Sequence, residues 1–360
     1  MNSQQLSSQP LILCGAGALQ AISKLLEEAS YDQIFLHCDT NTRSYCLPFL
    51  LEQLPSLERA QVIVSQPGEN HKNWESLSEL ASQLLAAGAG RKSLLINIGG
   101  GLLGDLGGFL ASVYMRGIAF VQVPTTLLAM VDASVGGKTA INFEGKKNLL
   151  GAFQDPIAVL IDPHFLSTLP QEELLSGYAE VIKHALLDGP ESTDEMLSIN
   201  PFQLTHWEEL IAKSVLQKKR ITDADFREAG LREQLNLGHT VAHAIEALAL
   251  ERGQYFPHGF AVAAGLCVEI ALSQQLGVLR DASWRNELFE AIHQLYPAFL
   301  VDEKEIERLC TLMMSDKKNS EGHCRFSLLI EPGKVQLGVP ATFAQIQLAL
   351  NEYQLYARRS

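Results

Sequence analysis

The sequence predicts an α/β domain with a mostly parallel sheet, followed by a mainly α-helical domain. Short apolar runs alternate with helical patterns up to about residue 161, whereas beyond Pro163 the patterns are almost wholly helical. Alternating strands and helices are typical of a parallel sheet with helices on its faces. The length of 360 residues also exceeds what most single hydrophobic cores contain, so we expect two domains.

The α/β part is predicted from short apolar runs of strand length. Ligand sites in such sheets lie beyond the carboxyl ends of the strands. The predicted strands cover residues 10–14, 33–38, 61–64, 93–98, 119–123 and 158–161, and the helical stretches between them include residues 18–28, 42–53 and 74–87.

The second part shows mainly the helical period, with one plausible strand pair at residues 325–330 and 335–338. The pairs Asp162-Pro163 and Leu169-Pro170 indicate turns or loops, so we place the domain boundary near residues 162–170. The predicted domains are residues 1–165 and 166–360. The predicted helices of the second domain cover residues 172–187, 207–223, 238–250, 260–276 and 283–295.

Composition limits the classes of partner. The chain is 47% hydrophobic and 19% charged, as in ordinary globular proteins. Its net charge of −13 and pI near 5.3 argue against nucleic acid, because phosphates would be repelled. A small anionic substrate remains possible, since a basic pocket can exist on an acidic protein.

Cysteine usage and hydropathy indicate a cytoplasmic protein without a membrane span. The six cysteines are scattered, with no C-x-x-C pair, which fits reduced thiols better than disulfides. No apolar run reaches 18 residues, and the longest candidate, residues 260–272, is interrupted by Glu269.

A glycine-rich run follows the fourth predicted strand and opens a helix. Gly99, Gly100, Gly101 and Gly104 satisfy the pattern G-x-G-x-x-G, in which exposed amides attract a pyrophosphate. In the usual dinucleotide fingerprint, the glycine run follows the first strand and an acidic residue ends the strand after it. In this chain the run follows the fourth strand, and the strand after it does not end in an acidic residue. A tight structural turn and a phosphate site therefore both remain open. Asp39, at the end of an early strand, is a candidate for the adenosine ribose hydroxyls.

The stretch Gly136-Gly137-Lys138-Thr139 resembles a nucleoside triphosphate loop only in part. That motif requires glycine six residues before the lysine, where this chain has Asp132. We therefore exclude an ATPase of this type. Lys138 is either a phosphate ligand or a solvated lysine.

Two histidines, His239 and His243, are four residues apart and lie on one face of a predicted helix. Glu246 continues that face, and His258 opens the next helix. Two histidines and a carboxylate suit a catalytic zinc with an open coordination position, although paired helical histidines are also common in purely structural roles. Thr240 stands where an H-E-x-x-H metalloprotease has its glutamate, which excludes that chemistry.

A further polar cluster is predicted upstream. Glu180, Lys183 and His184 share one face of the helix at residues 176–187. Their side chains are therefore expected to lie together on one side of that helix.

Together these segments resemble the 3-dehydroquinate synthase family, over about residues 35–330 and in the same order. The matching blocks are residues 99–105, 124–138, 145–148, 179–184, 230–232, 236–246 and 316–318.

The resemblance implies a Rossmann-like first domain that binds NAD and a second domain that binds a divalent metal, zinc or cobalt, together with the substrate. It implies a metal held by Glu180, His239 and His258. The implied NAD contacts are Asp39, Asn41, Glu69, Lys72, Gly100, Gly101, Asp105, Thr125, Thr126, Asp132 and Lys147.

The resemblance also assigns the substrate. The phosphate would contact Lys138, Asn148 and Lys317, with Arg116 from a neighbouring subunit of a homodimer. The carboxylate would contact Lys218 and Arg232, and the hydroxyls Lys183, Asn236 and His243. His243 is thereby a substrate-handling residue and not a metal ligand.

The reaction implied by the family belongs to the shikimate pathway of aromatic amino acid biosynthesis. The carbon-5 hydroxyl of 3-deoxy-D-arabino-heptulosonate 7-phosphate is transiently oxidised with NAD, phosphate is eliminated and the ketone is reduced again. The ring then opens, and an intramolecular aldol reaction closes the carbocycle. One departure from the family pattern is Phe260, where a glutamate is expected after His258-Gly259.

Sister sugar phosphate cyclases, such as 2-deoxy-scyllo-inosose or 2-epi-5-epi-valiolone synthases, are the nearest alternative. Their substrates lack the carboxylate, so the presence of Lys218, Arg232 and Asn236 disfavours them. His243 stands where the inosose synthases carry glutamate, which disfavours them further.

The sequence also disfavours two other functions. A metal-dependent polyol dehydrogenase of the same superfamily would share the glycine turn and the histidines, but it would need no phosphate ligands such as Lys138, Asn148 and Lys317. A non-catalytic binding protein is disfavoured because the predicted catalytic side chains are all intact.

Overall fold

The computed structural model describes residues 10–314 and 323–358. The chain divides into two compact units. The first runs to Pro170 and also contains His206–Lys219, and the second contains Gln171–Thr205 and the chain from Arg220. No helix in the described residues has the length and apolar character needed to cross a membrane.

The described part of the first unit contains eight strands, six of which form a parallel sheet. The helices of this unit are α1 (Ala21–Glu28), α2 (Thr40–Tyr45), α3 (Leu47–Gln53), α4 (Trp74–Ala86) and α5 (Gly101–Val113). The strands are β1 (Leu11–Cys14), β2 (Ile34–Asp39), β3 (Gln61–Ser65), β4 (Leu94–Gly99), β5 (Ala119–Pro124), β6 (Lys138–Phe143), β7 (Lys146–Phe153) and β8 (Ala158–Ile161).

The sheet order is β1-β8-β5-β4-β2-β3, and every pairing in it is parallel. All six residues of β4 are buried, as expected for an apolar strand covered on both faces. A Cβ atom at Gly107 of α5 would lie 1.9 Å from the Asn97 side chain, so glycine allows α5 to pack directly on β4. The predicted α/β class is confirmed, with all six sheet strands within one residue of their predicted bounds.

The hairpin of β6 and β7 was not predicted from the sequence. The two strands pair antiparallel, and Glu144 and Gly145 between them have φ values of 49° and 72°. Positive φ at both central residues is the geometry of a type I′ turn. β7 is largely exposed, so it lacks the apolar pattern that revealed the other strands.

The second unit is mainly helical, as predicted, with one antiparallel strand pair. Helices α7, α12 and α13 were not among the predicted elements. The elements are α6 (Gln171–Asp188), α7 (Pro190–Leu197), α8 (Glu208–Ala224, which begins in the segment grouped with the first unit), α9 (His239–Glu251), α10 (His258–Gln275), α11 (Arg285–Leu295), α12 (Glu303–Met314), β9 (Cys324–Glu331), β10 (Lys334–Ala341) and α13 (Phe343–Ala357).

The centre of the second unit is α10. Residues 259–273 are all buried, and the helix packs against α6, α9 and α13. A helix that is apolar all round belongs in a core. A Cβ atom at Gly259 would lie 1.9 Å from the carbonyl oxygen of Ser176, so α6 and α10 touch through their backbones. α10, which begins with the predicted ligand His258, thereby contacts both α6 and α9, the helices that carry Glu180 and His239.

Candidate active site

Three potential metal ligands lie together in the second unit. Glu180 projects from α6, His239 is the first residue of α9, and His258 is the first residue of α10. Nε2 of His239 lies 3.3 Å from Oε1 of Glu180, and Nε2 of His258 lies 3.6 Å from the same oxygen. One donor atom from each residue lies within 4.8 Å of the other two.

This donor set fits a divalent metal. A tetrahedral ion with bonds of about 2.0–2.1 Å holds neighbouring donor atoms about 3.4 Å apart. The distances of 3.3 and 3.6 Å from the Glu180 oxygen are close to that value. Two imidazoles and one carboxylate leave a coordination position for a substrate oxygen, which is the pattern of catalytic zinc sites. Cobalt accepts the same donors.

The carboxylate of Glu180 is held in its ionised form. Burial raises its pKa, but Lys183 and the two histidines outweigh burial, so the pKa lies well below the usual range. Lys183 is one turn further along α6 and forms an ion pair with Glu180, and both side chains are almost completely buried. A carboxylate that remains charged at physiological pH is ready to bind a cation.

A second carboxylate supports His258. Nδ1 of His258 lies 3.4 Å from Oε1 of Glu246 on α9. Burial lowers the pKa of His258, but the hydrogen bonds with Glu180 and Glu246 raise it to about 10. Metal binding at Nε2 would displace a proton, while a carboxylate on Nδ1 orients a ligating histidine.

Phe260, which stands where the family pattern has a glutamate, packs among aromatic rings. Its ring centroid lies 6.0 Å from that of Phe256 and 5.4 Å from that of Tyr296. The hydroxyl of Tyr296 donates a hydrogen bond to the carbonyl oxygen of Leu175 on α6, at 2.9 Å. Position 260 is therefore part of the apolar packing, and the carboxylate beside His258 comes from Glu246.

A cavity of about 380 Å³ adjoins the metal cluster in the second unit. Its lining includes His239 and His243 of α9, Asn236 and, from β9, Arg325. The imidazole centroids of His239 and His243 are 5.7 Å apart. The volume is that of a small-molecule site. Two predicted substrate residues, Asn236 and His243, therefore line the same cavity as a predicted metal ligand.

The turn that precedes α9 carries two more predicted residues. The Arg232 guanidinium is buried and donates to the carbonyl oxygen of Phe226 at 2.6 Å. The Asn236 side-chain amide donates to Oε1 of Glu228 at 3.3 Å. The carboxylate of Asp225 accepts hydrogen bonds from backbone amides of the same loop, including that of Arg232 at 3.0 Å. The loop is thus organised by its own polar contacts.

In the first unit, the predicted NAD residues gather at one edge of the sheet. Strands β2, β4 and β5 are adjacent and end at Asp39, Gly99 and Pro124. The amide of Thr125 donates to the carbonyl oxygen of Gly99 at 3.0 Å, which joins the two loops. Asp39 also caps α2 by accepting from the amide of Thr42 at 2.7 Å.

The glycine run forms a tight turn that ends in a helix N-terminus. α5 begins at Gly101, and its N-cap, Gly100, offers no side chain. A Cβ atom at Gly100 would lie 3.0 Å from the Thr126 side chain, and one at Gly101 would lie 3.1 Å from Ala133. Glycine is needed for this close approach, and the open amides of the helix favour an anion.

A buried lysine links three predicted site residues of the first unit. Lys72 Nζ lies 2.5 Å from Oδ2 of Asp105 and 2.6 Å from Oδ1 of Asn148. Nearby, the Asn142 side chain donates to Oε1 of Glu69 at 2.8 Å. Lys72, Glu69 and Asp105 were predicted to contact NAD, and Asn148 was predicted to contact the substrate phosphate.

Lys218 pairs with Asp132 in the same unit. Lys218 Nζ lies 2.8 Å from Oδ1 of Asp132 and 2.5 Å from its carbonyl oxygen. Asp132 belongs to a π-helical turn at Ala129–Ala133, a form that is frequent at functional sites. Both residues belong to the first unit, which includes α8 as far as Lys219.

Four of the remaining predicted residues are exposed. Lys138 opens β6, Lys147 lies on β7, and Asn41 lies on α2. Arg116 follows α5 in a loop where Met115 and Arg116 both have positive φ, at 51° and 71°. Lys317 lies outside the described residues.

Comparison with known proteins identifies the family. Residues 62–176 match the model of the 3-dehydroquinate synthase N-terminal region, and residues 177–319 match that of the C-terminal region. A 3-dehydroquinate synthase of Parabacteroides distasonis is 38% identical over 352 residues, covering 97% of this chain and 99% of the relative. The chain belongs to the 3-dehydroquinate synthase family.

Other relatives also support membership in the 3-dehydroquinate synthase family. A 3-dehydroquinate synthase of Leptospira interrogans is 39% identical over 344 residues, covering 94% of this chain and 92% of the relative. The members of the 3-dehydroquinate synthase family are carbon–oxygen lyases, so the chain is an enzyme of that class.

Solved structures of sister cyclases share the fold. A 2-deoxy-scyllo-inosose synthase complexed with carbaglucose-6-phosphate, NAD+ and Co2+ has a TM-score of 0.82 at 25% identity, covering 95% of this chain and 96% of that chain. A 2-epi-5-epi-valiolone synthase from Streptomyces hygroscopicus with NAD+ and Zn2+ has a TM-score of 0.83 at 24% identity, covering both chains completely.

Sequence reasoning missed two features of this 3-dehydroquinate synthase family member. Arg325 lines the cavity, and the only signal is one exposed charged residue in the otherwise buried first half of β9. The contact between Glu246 and His258 was also missed. Its signal was present, because Glu246 is two helical turns from His239 on the same face.

Proposed function

We propose that this member of the 3-dehydroquinate synthase family converts 3-deoxy-D-arabino-heptulosonate 7-phosphate to 3-dehydroquinate and phosphate. The observation that carries the proposal is the cluster of Glu180, His239 and His258 beside a cavity lined by Asn236 and His243. A relative that is 38% identical over almost the whole chain is named 3-dehydroquinate synthase, which supports the proposal.

NAD and a divalent metal are the proposed cofactors, supported by the solved relatives that contain NAD+ with Co2+ or Zn2+. When bound, NAD accepts and returns a hydride, and the metal withdraws electron density from a substrate oxygen. Glu180, His239 and His258 would hold the metal. The NAD contacts proposed for the first unit are Asp39, Asn41, Glu69, Lys72, Gly100, Gly101, Asp105, Thr125, Thr126, Asp132 and Lys147.

Basic side chains would bind the two anionic ends of the substrate. Charge-assisted hydrogen bonds from lysine and arginine are about twice as strong as neutral ones, and they fix the orientation of the substrate. We assign the carboxylate to Lys218 and Arg232. We assign the phosphate to Lys138, Asn148 and Lys317, joined by Arg116 of a second subunit.

The hydroxyl groups of the substrate would meet Lys183, Asn236 and His243. Lys183 is a buried donor that already pairs with Glu180, so its ammonium group lies next to the metal ligands. Asn236 and His243 line the cavity and offer a donor or acceptor to a hydroxyl. The imidazole of His243 is the group we assign as general acid and base in the elimination and aldol steps.

The proposal is tested by following phosphate and NADH together. The purified protein is incubated with 3-deoxy-D-arabino-heptulosonate 7-phosphate and catalytic NAD, and both products are measured over time. We expect stoichiometric phosphate release without accumulation of NADH, and loss of the activity on chelation. Absence of phosphate release with this substrate would overturn the proposal.

A second candidate, a sister cyclase, is favoured only by the similarity to 2-deoxy-scyllo-inosose synthase in structure. It would release phosphate from sugar phosphates that lack the carboxylate and not from the heptulosonate. A dehydrogenase would accumulate NADH and release no phosphate. The same assay with glucose 6-phosphate and with glycerol separates the three functions.

We also propose a homodimer in the cytoplasm. The six cysteines are free thiols, which fits a reducing compartment. The exposed Arg116, in a loop with positive φ, is the residue we assign to the neighbouring subunit's phosphate site.

The subunit assignment predicts complementation. Arg116→Ala and His239→Ala should each be nearly inactive, but mixed dimers contain one site with both residues intact. Mixing the two variants under subunit exchange should therefore restore part of the phosphate release. An Arg116→Ala protein with full activity, or a mixture that stays inactive while hybrid dimers form, would contradict the assignment.

A further inference from the structure

A carboxylate on α10 caps the N-terminus of α9, the helix that carries His239. Glu269 is completely buried, and its Oε2 accepts from the amide of Gly238 at 2.7 Å while its Oε1 accepts from the amide of Val241 at 3.2 Å. α9 begins at His239, and its N-cap residue, Gly238, has no side chain. Glu269 therefore supplies, from a neighbouring helix, the cap that α9 lacks.

A second carboxylate makes the reciprocal contact at the other end of this helix pair. Glu246 of α9 lies 3.4 Å from Nδ1 of His258, the first residue of α10. The two helices therefore run in opposite directions. Each helix begins with a metal-ligand candidate, and each contributes a carboxylate to the first turn of the other.

The backbones of α9 and α10 are in close contact near Glu269. A Cβ atom at Gly265 would lie 2.0 Å from the carbonyl oxygen of Gly238. A Cβ atom at Gly238, whose φ is 81°, would lie 3.0 Å from the Leu266 side chain. The first turn of α9 is thus held in two ways. Its backbone packs against Gly265 and Leu266 of α10, and its amides donate hydrogen bonds to Glu269.

The hydrogen bonds to Glu269 favour its ionised form, and burial opposes it. Burial raises its pKa to about 8, against the lowering effect of the amides of Gly238, Val241 and Thr240. A carboxyl group accepts hydrogen bonds in either protonation form.

We propose that Glu269 is a positioning residue for the metal centre. By holding the first turn of α9 against α10, it keeps Nε2 of His239 3.3 Å from Oε1 of Glu180. It touches neither metal nor substrate and acts through the position of His239. The inference rests on the proposed metal site, and it gives a role to the acidic residue that interrupts the apolar run of α10.

The test measures metal affinity. Apo protein is titrated with Zn2+ against a chromophoric chelator, and the visible absorption of the Co2+ form reports the coordination geometry. Glu269→Gln removes one acceptor oxygen and sets an amide group against backbone donors. We expect its zinc affinity to fall about 10- to 100-fold, the range for residues that orient metal ligands, with an altered Co2+ spectrum.

The matched control is Ser273→Ala. Ser273 is one turn further along α10, is also completely buried, and donates to the carbonyl oxygen of Leu329 at 2.5 Å. This variant should lower the urea midpoint of unfolding but leave zinc affinity and the Co2+ spectrum unchanged. If Glu269→Gln does not fold, Glu269→Asp, which shortens the side chain by one methylene, is measured instead and is expected to weaken zinc binding.

The outcomes are distinguishable from failure of the proposed function. If the wild-type protein binds no zinc, the metal site and this inference both fail. If the wild type binds zinc and the folded Glu269 variant binds it equally well, only the role of Glu269 is overturned. Equal loss of affinity in Ser273→Ala would also overturn it, because the effect would then follow from general destabilisation.

Discussion

His239→Ala is expected to lose the metal and to lower the rate of phosphate release by more than about 100-fold. Replacement of residues that merely orient ligands already costs about 10- to 100-fold, and His239 supplies one of three donor atoms itself. Metal content is measured after dialysis by elemental analysis, and phosphate release is measured with saturating NAD. Both quantities should fall together, because the site would keep only one imidazole and one carboxylate.

Two other histidine variants serve as controls for His239→Ala. His243→Ala, one turn further along α9, should keep stoichiometric zinc while losing turnover, because His243 is assigned to the substrate and not to the metal. His293→Ala on α11 should keep both properties, since His293 contacts the carbonyl oxygen of Phe289 within its own helix. Stoichiometric zinc in His239→Ala would refute the ligand assignment.

Glu180→Gln is expected to remove metal binding and to lower the free energy of unfolding by about 3–5 kcal/mol, the usual cost of breaking a buried ion pair. Glu180 and Lys183 are both almost completely buried, so the substitution leaves the Lys183 ammonium without its partner carboxylate. Urea unfolding in the presence of a chelator measures this loss separately from the stabilisation by bound metal.

A double variant separates the two roles of Glu180. Glu180→Gln with Lys183→Met removes both charges, so we expect it to recover much of the lost stability but none of the metal binding. If the double variant is as unstable as Glu180→Gln alone, the loss comes from packing and not from the unpaired charge. Lys213→Met serves as the control for an exposed pair, because Lys213 pairs with Glu209 on the surface of α8 and should have little effect.

The parallel sheet could be predicted from the sequence because its strands are covered on both faces. Such strands are continuous apolar runs, and β4 and β8 are buried along their whole length. The hairpin of β6 and β7 is exposed on much of its surface, so packing leaves no period-two signal in its residues. Its turn signal, Glu144-Gly145, is weaker than the usual Asn-Gly or Asp-Gly pair.

Three helices of the second unit were not among the predicted helices. α7 begins at Pro190 and is only eight residues long, too short for a helical period to stand out. α12 and α13 were overlooked although their buried residues follow helical spacing, as Ile346, Ala349, Leu350 and Tyr353 do in α13. Their capping signals, such as the Thr342–Gln345 box, are visible in the sequence.

The sequence predicts the fold class, the resemblance to the family and the residue types of a metal site, because these depend on local periodicity and on short motifs. It could not determine which residues meet. His239 and His243 are equally spaced candidates along one helix face, and only the packing of α6 and α9 against α10 brings Glu180 and His258 to His239. Glu269 is the plainest case: the sequence shows a charge within an apolar helix, and the tertiary structure shows it bound to the backbone that carries His239. Contacts between distant segments follow from how whole helices pack, and no local pattern encodes them.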